Sequence, residues 1–166
     1  MDLRAYATTM AHYNAWMNGN LYEKAAALSD EQRKRDLGAF FKSLHGTFNH
    51  LLIGDIAWMQ RFRGEPLTMR SPRDELHADF EALRAARRAM DADILAWAQQ
   101  LDPALGATQF RFWSVAYQKE RLMPYGAAVA HMFNHQTHHR GQATTLLMQL
   151  GVDPGVTDLP WMPYFD

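Results

Sequence analysis

The stretch Asn134-His135-Gln136-Thr137-His138-His139-Arg140-Gly141-Gln142 holds three histidines within five residues, inside a segment of helical periodicity. An α-helix turns by about 100° per residue, so His135 and His139 stand one above the other while His138 falls to the side. Two imidazoles at i and i+4 can share one metal ion. The pair is equally compatible with a polar helix face that is rich in histidine. His131 extends the series, but a straight helix drifts by about 40° for every four residues, which leaves His131 and His139 about 80° apart. His131 is therefore expected beside the site rather than on the ion. His138 is expected to hydrogen-bond outside the metal shell.

The helix containing this stretch starts at Pro124 and ends near Leu150, before Gly151 and Pro154. Three further segments have helical periodicity. The first spans roughly 3–28, with Tyr6, Met10, Tyr13, Met17 and Leu21 at spacings of three and four. Ser29-Asp30-Glu31-Gln32 then breaks the pattern and can cap a short turn. The second spans roughly 40–62, where Phe41, Leu44, Phe48, Leu51, Leu52, Asp55, Met59 and Phe62 share one side; Gly64 and Pro66 end it. The third is predicted to start at Ser71-Pro72, which reads as an N-cap with proline in the first helical position, and to reach Leu101. Its expected inward face is Leu76, Phe80, Leu83, Ala86, Met90, Ile94 and Trp97. Between the third and fourth helices, Phe110, Phe112, Val115 and Tyr117 alternate with polar residues, the pattern of a short β-hairpin. No repeat, low-complexity tract or linker divides the 166 residues, so one domain is expected. The expected fold is all-α: a four-helix bundle with a short hairpin, a fold class that builds metal sites between facing helices.

A third ligand for the His135/His139 pair must come from a neighbouring helix. His50, on an apolar face of the second helix, is the best placed. A lone histidine on such a face is more often a satisfied core residue, and the unfilled ligand position is what singles it out. His45 lies five residues earlier, about 140° around the helix, and cannot share the site. His12 and His77 read as surface or pocket rim. Arg140 is positioned either to orient an acidic substrate or to neutralise the bundle surface. The aromatic stripe of Tyr6, Tyr13, Trp16, Trp58, Trp97 and Trp113 reads more naturally as core than as a cofactor box.

Composition excludes several classes. The net charge is −1, from 17 basic and 18 acidic residues, so no bulk field favours nucleic acid or an anionic membrane. A local basic patch at Arg84, Arg87 and Arg88 remains available. The absence of cysteine removes disulfides, thiolate nucleophiles and thiolate ligands, and fits a cytoplasmic protein. No signal-like segment opens the chain, and no apolar run approaches the roughly 18 residues of a membrane span. Phosphate-binding loops, dinucleotide fingerprints and nucleophile elbows are absent from the sequence.

With these motifs the chain resembles the DinB/YfiT-like superfamily of bacterial metal-binding four-helix bundles. The strongest part is Asn134 to Gln142; the others are Asn49-His50-Leu51-Leu52 with Asp55 and Trp58, and Tyr13-Asn14-Ala15-Trp16-Met17-Asn18. The resemblance spans nearly the whole chain. It implies three histidine ligands, which by position are His50, His135 and His139, and one divalent ion, zinc or nickel above others. His131, Asp55, Trp58, Tyr13, Trp16 and Arg140 are the residues expected to line or support the pocket. It also implies a homodimer, and in some members transferase or isomerase activity with a low-molecular-weight thiol as co-substrate. The expected function is thus a metal-dependent enzyme of thiol-transferase or hydrolase-like type acting on a small molecule. The alternative is a non-catalytic metal-binding or stress-related protein whose metal is structural. A dimer would use the first helix or the aromatic tail around Trp161, Met162, Tyr164 and Phe165.

Overall fold

A computed structural model of the protein describes residues 1–115 and 117–165. Four long helices form the bundle: α1 (Leu3–Ala26), α3 (Leu44–Arg63), α4 (Phe80–Gln100) and α5 (Tyr125–Gln149), with a short α2 (Asp30–Lys34) after α1. α1 and α3 each pack against both α4 and α5. β1 (Gln109–Ser114) and β2 (Lys119–Pro124) pair antiparallel between α4 and α5, so the expected bundle with a hairpin is the observed architecture. No helix among the described residues is long and apolar enough to cross a membrane.

Local chemistry sets the helix ends. Asp2, Ser29, Ser43 and Asp79 each cap a helix by accepting a backbone N–H, and at α2 Ser29 and Gln32 satisfy one another's backbone in a capping box. Gly64 closes α3 in the left-handed region at φ 66°.

Two starts differ from the sequence reading. The second long helix begins at Leu44, not Phe40, because a tight turn precedes it: Lys42 donates its N–H to Ala39 at 2.8 Å and adopts φ 66°. Phe40 is left exposed. The third begins at Phe80 rather than Ser71-Pro72. Residues 70–77 are held as a loop by hydrogen bonds to α3. Asn49 accepts from His77 N at 3.1 Å and donates to His77 O at 3.2 Å, while His50 donates to Pro72 O at 2.8 Å. Asp74 also accepts from the Arg70 and Ser71 amides. These bonds outweigh a local N-cap signal, and Leu76 is exposed instead of facing inward.

The bundle has two large apolar cores, besides a small cluster of Tyr13, Met17 and Met162 under the tail. One gathers Leu21, Phe48, Leu52, Leu83 and Leu147; the other gathers Ala11, Met59, Ile94, Val129 and Phe133. Between them, on every long helix, lies a polar layer of buried Asn14, Asn18, Asp55, Arg87, Asp91, Gln136 and Arg140. Arg87 pairs with Asp55 at 2.7 Å and Asp91 at 2.9 Å. Asn18 donates to Asp91 at 2.9 Å, Gln136 donates to Asp55, and Arg140 donates to Asn14. Arg87 is therefore no part of a surface basic patch.

Candidate metal centre

His50 stands in the middle of α3, and His135 and His139 in the middle of α5, at the level of the polar layer. The three rings converge. His50 Nε2 lies 3.2 Å from His135 Nε2 and 3.1 Å from His139 Nε2. One ligand atom from each histidine falls within 4.8 Å of the others, and among the described residues no carboxylate joins this cluster.

The hydrogen bonds at the far side of two rings decide what the near nitrogens offer. His50 Nδ1 contacts the Pro72 carbonyl at 2.8 Å, and a carbonyl can only accept, so the Nδ1 has the proton and Nε2 presents a lone pair. His139 Nδ1 likewise donates to Gln142 Oε1 at 2.7 Å. Imidazole ligands are oriented by such bonds in metal sites. Burial lowers the pKa of all three rings, that of His50 to about 4 and that of His135 to about 3, and their mutual proximity adds to the shift for both. Two of the rings thus present Nε2 lone pairs inward, and His135 Nε2 lies beside them, 3.2 Å from His50 Nε2. A tetrahedral ion with bonds of about 2.0–2.1 Å sets its ligand nitrogens about 3.3–3.4 Å apart. The donor set and the observed spacing both fit a divalent ion.

The walls of the site are specific. Phe41, turned inward by the bend at Lys42, stacks on His50 with ring centres 3.8 Å apart. On α3, Gly54 faces His135 so closely that a β-carbon there would meet the ring's Cε1 at 2.8 Å. A cavity of about 650 Å³ opens beside His50 and His135, against Trp58, Phe112 and His131. Its far wall is the hairpin.

The structure brings together His50, His135 and His139, with His131 and Trp58 on the adjoining cavity, 5.0 Å apart. It separates the others from that cavity. Asp55 is fully buried in the polar layer; burial raises its pKa to about 6 and Arg87 opposes the shift, so it stays ionised at neutral pH. Arg140 is 3% exposed, lies in the same layer with its guanidinium 5.1 Å from the Tyr13 ring, and neither faces solvent nor reaches the cavity. Tyr13 donates to Thr157 O at 2.6 Å, and together with Trp16 it packs the tail through buried Met162. Tyr13 and Trp16 turn away because they are on α1 and face the tail, and Asp55 and Arg140, although on α3 and α5, turn to Arg87 on α4 and Asn14 on α1. His45 points elsewhere, to His77 O at 2.8 Å, and His138 meets Gln142 at 3.4 Å outside the cluster.

Sequence reasoning missed Phe41, Gly54, Gln142 and the Pro72 carbonyl. For Gln142 a signal existed: it lies three residues after His139, on the neighbouring helical row. For the Pro72 carbonyl none did, since its role depends on a loop fold.

Comparison with known proteins agrees with this architecture. The DinB family model matches residues 1–166. Protein DinB of Bacillus subtilis is 21% identical over 168 residues, covering 92% of this chain and 91% of that protein. A DinB-like protein of Bacillus cereus, known from its crystal structure, shares the fold with a TM-score of 0.59 at 21% identity, covering 84% of this chain and 90% of the other. With a family match along its whole length, a bundle of the same fold and a histidine triad that could hold an ion, this chain belongs to the DinB family.

Proposed function

We propose that the protein is a metal-dependent enzyme acting on a small molecule, with one divalent ion, zinc or nickel, held by His50, His135 and His139. The observation supporting catalysis over a purely structural ion is the asymmetry of the site. One side is closed by Phe41 and by the bonds to Pro72 and Gln142, and the other borders a cavity of about 650 Å³, ample for a small ligand. Three neutral ligands would leave the ion's charge uncompensated and a position open to water or substrate. When bound, such an ion lowers the pKa of coordinated water or stabilises a coordinated thiolate.

The chain's own groups serve that chemistry in three ways. Phe41 shields the His50 side from water. Pro72 and Gln142 hold two rings with Nε2 inward. His131 lines the cavity, and burial and the charge of Arg61 lower its pKa. With no cysteine in the chain, any thiol at the ion comes from a co-substrate, so transfer from a low-molecular-weight thiol to an electrophile and hydrolysis by coordinated water are the two reactions that fit.

The test is metal analysis of protein purified without an affinity tag, followed by thiol-transfer and esterase assays with the ion present and removed. Activity that follows metal content and disappears in His135→Ala supports the proposal. Stoichiometric metal without turnover of any electrophile favours an ion that only braces α3 against α5. We also propose a homodimer through the aromatic tail, since Trp161, Tyr164 and Phe165 are each at least half exposed. Light scattering should find a dimer for the full chain and a monomer for a chain ending at Asp153.

A further inference from the structure

We propose that the molecule bound in this cavity has an acid group, carboxylate or phosphate, and that Arg61, Lys119 and Arg121 bind it; the inference rests on the reading of the cavity as the substrate pocket. The hairpin supplies the first observation. Side chains alternate across a strand. The register pairs Ser114 with Lys119, Phe112 with Arg121 and Phe110 with Met123. Ser114, Phe112, Lys119, Arg121 and Met123 line the cavity. The hairpin's only acidic residue, Glu120, falls on the opposite face, where it pairs with Arg111 at 2.5 Å. The wall facing the histidines is thus cationic and apolar.

Arg61 supplies the second. It projects from α3 into the same cavity, with its guanidinium 4.8 Å from the Trp58 ring and 5.4 Å from the Phe112 ring. Its Nη2 donates to Trp113 O at 3.3 Å, whereas its Nε is out of water and donates to nothing among the described residues. No carboxylate lies within 4.0 Å of Arg61, Lys119 or Arg121 among the described residues, and no acidic residue lines the cavity. Some cations elsewhere are paired, as Arg63 with Asp93 at 2.7 Å and Arg87 with two aspartates. Three cations left together around one cavity, two on the hairpin and the half-buried Arg61 on α3, form a site for an anion.

The site is also connected to the metal centre. The ring of His135 lies 6.2 Å from that of His131, His131 lies 5.0 Å from Trp58, and Trp58 lies 5.2 Å from Phe112, over which Arg61 rests. An anion held by Arg61 and Arg121 therefore leaves the rest of a small molecule reaching along Trp58 and His131 towards His135. The charges select for the acid and the rings select for an apolar or planar body.

The experiment is titration calorimetry of the metal-loaded full chain with glutarate, propyl phosphate and the neutral isostere glutaramide. We expect at least one acid to bind and the amide to bind at least tenfold more weakly. The tighter acid distinguishes carboxylate from phosphate. Arg61→Gln and Arg121→Gln are expected to weaken acid binding about tenfold each, with metal content unchanged. Lys119→Gln, an exposed strand position that cannot unfold the bundle, is expected to weaken it about threefold. Equal binding of acid and amide, undiminished acid binding in all three variants, or no binding of either acid at tens of millimolar would overturn the proposal. The titration is repeated after chelation. Acid binding that persists and still depends on Arg61 supports this inference even if elemental analysis shows that the triad takes no ion, so the two readings fail separately.

Discussion

Two polar clusters lie side by side on α5, one residue out of phase. Gln136 and Arg140 turn into the bundle and join a layer in which Asp55 and Asp91 meet Arg87, Gln136 donates to Asp55 and Arg140 donates to Asn14. His135 and His139, on the next helical row, turn towards His50, where three imidazole nitrogens meet with no carboxylate among them. The charged groups of the first cluster are all bound by protein groups. The second is completed only by something added to it. Burial of polar groups is costly unless they are paired. A closed network therefore reads as architecture, and a cluster of like groups reads as a site awaiting a ligand.

The largest effect should come from breaking the closed cluster. Arg87→Ala leaves Asp55 and Asp91 buried without their cation, and loss of one partner of a buried pair costs about 3–5 kcal/mol. Urea unfolding of metal-free protein measures it. A loss under about 1 kcal/mol would mean that the layer is hydrated and that the contrast with the triad is false.

Emptying the open cluster should come next. At a free ion concentration of about 100 times the dissociation constant, binding stabilises the fold by about 2.7 kcal/mol. In a domain of this size that is about 5–10 °C in Tm. Chelation should lower the wild-type Tm by that amount and leave His135→Ala unmoved. Acid should act in the same direction. The pKa values of His50 and His135 are lowered in the folded protein, to about 4 and about 3, so the unfolded chain takes up protons first as pH falls. Stability from these groups is fully present above about pH 6.5 and is lost progressively towards pH 4 and below. A flat Tm from pH 7 to pH 4 in metal-free protein would contradict the burial of the triad.

A smaller effect is expected where a ligand is oriented rather than provided. Gln142→Ala removes the acceptor that fixes His139, and loss of such a partner costs about 10–100-fold in metal affinity. Competition with a chromogenic chelator reads this. Unchanged affinity would show that helix packing alone orients the ring.

Gly54→Ala sharpens the comparison with the smallest change in stability. The added methyl meets His135, so metal affinity should fall. In metal-free protein no ion fixes His135, and alanine in a helix interior is favoured over glycine by up to about 1 kcal/mol. The variant should bind metal more weakly while its metal-free form melts no lower than wild type. A lower melting point in both forms would show that the ring has nowhere to go.

Much of the fold and part of the site could be read from the chain. The i, i+4 spacing of His135 and His139, the apolar rows of the long helices and the alternation near Phe110 and Phe112 are periodic signals, and local geometry enforces them wherever the residues end up. The triad was legible because two of its members are close in sequence and the third is marked by its apolar surroundings. Ser71-Pro72 misled because a sound N-cap signal competes with hydrogen bonds from Asn49 and His50, which no local window contains. Asp55 and Arg140 misled in another way. Charged residues near a histidine motif suggest a pocket, yet their partners Arg87 and Asn14 lie on α4 and α1, far off in sequence. The cations Arg61, Lys119 and Arg121 were unremarkable in a chain of balanced charge until the fold brought Arg61 on α3 to the same cavity as Lys119 and Arg121 on the hairpin. The sequence by itself thus determined which helices form, which rows they bury and which histidines share a face, because those follow from a fixed turn per residue. Only the tertiary structure decided which charges are neutralised and which are left facing a cavity, because ion pairing depends on distances between segments that no sequence spacing sets.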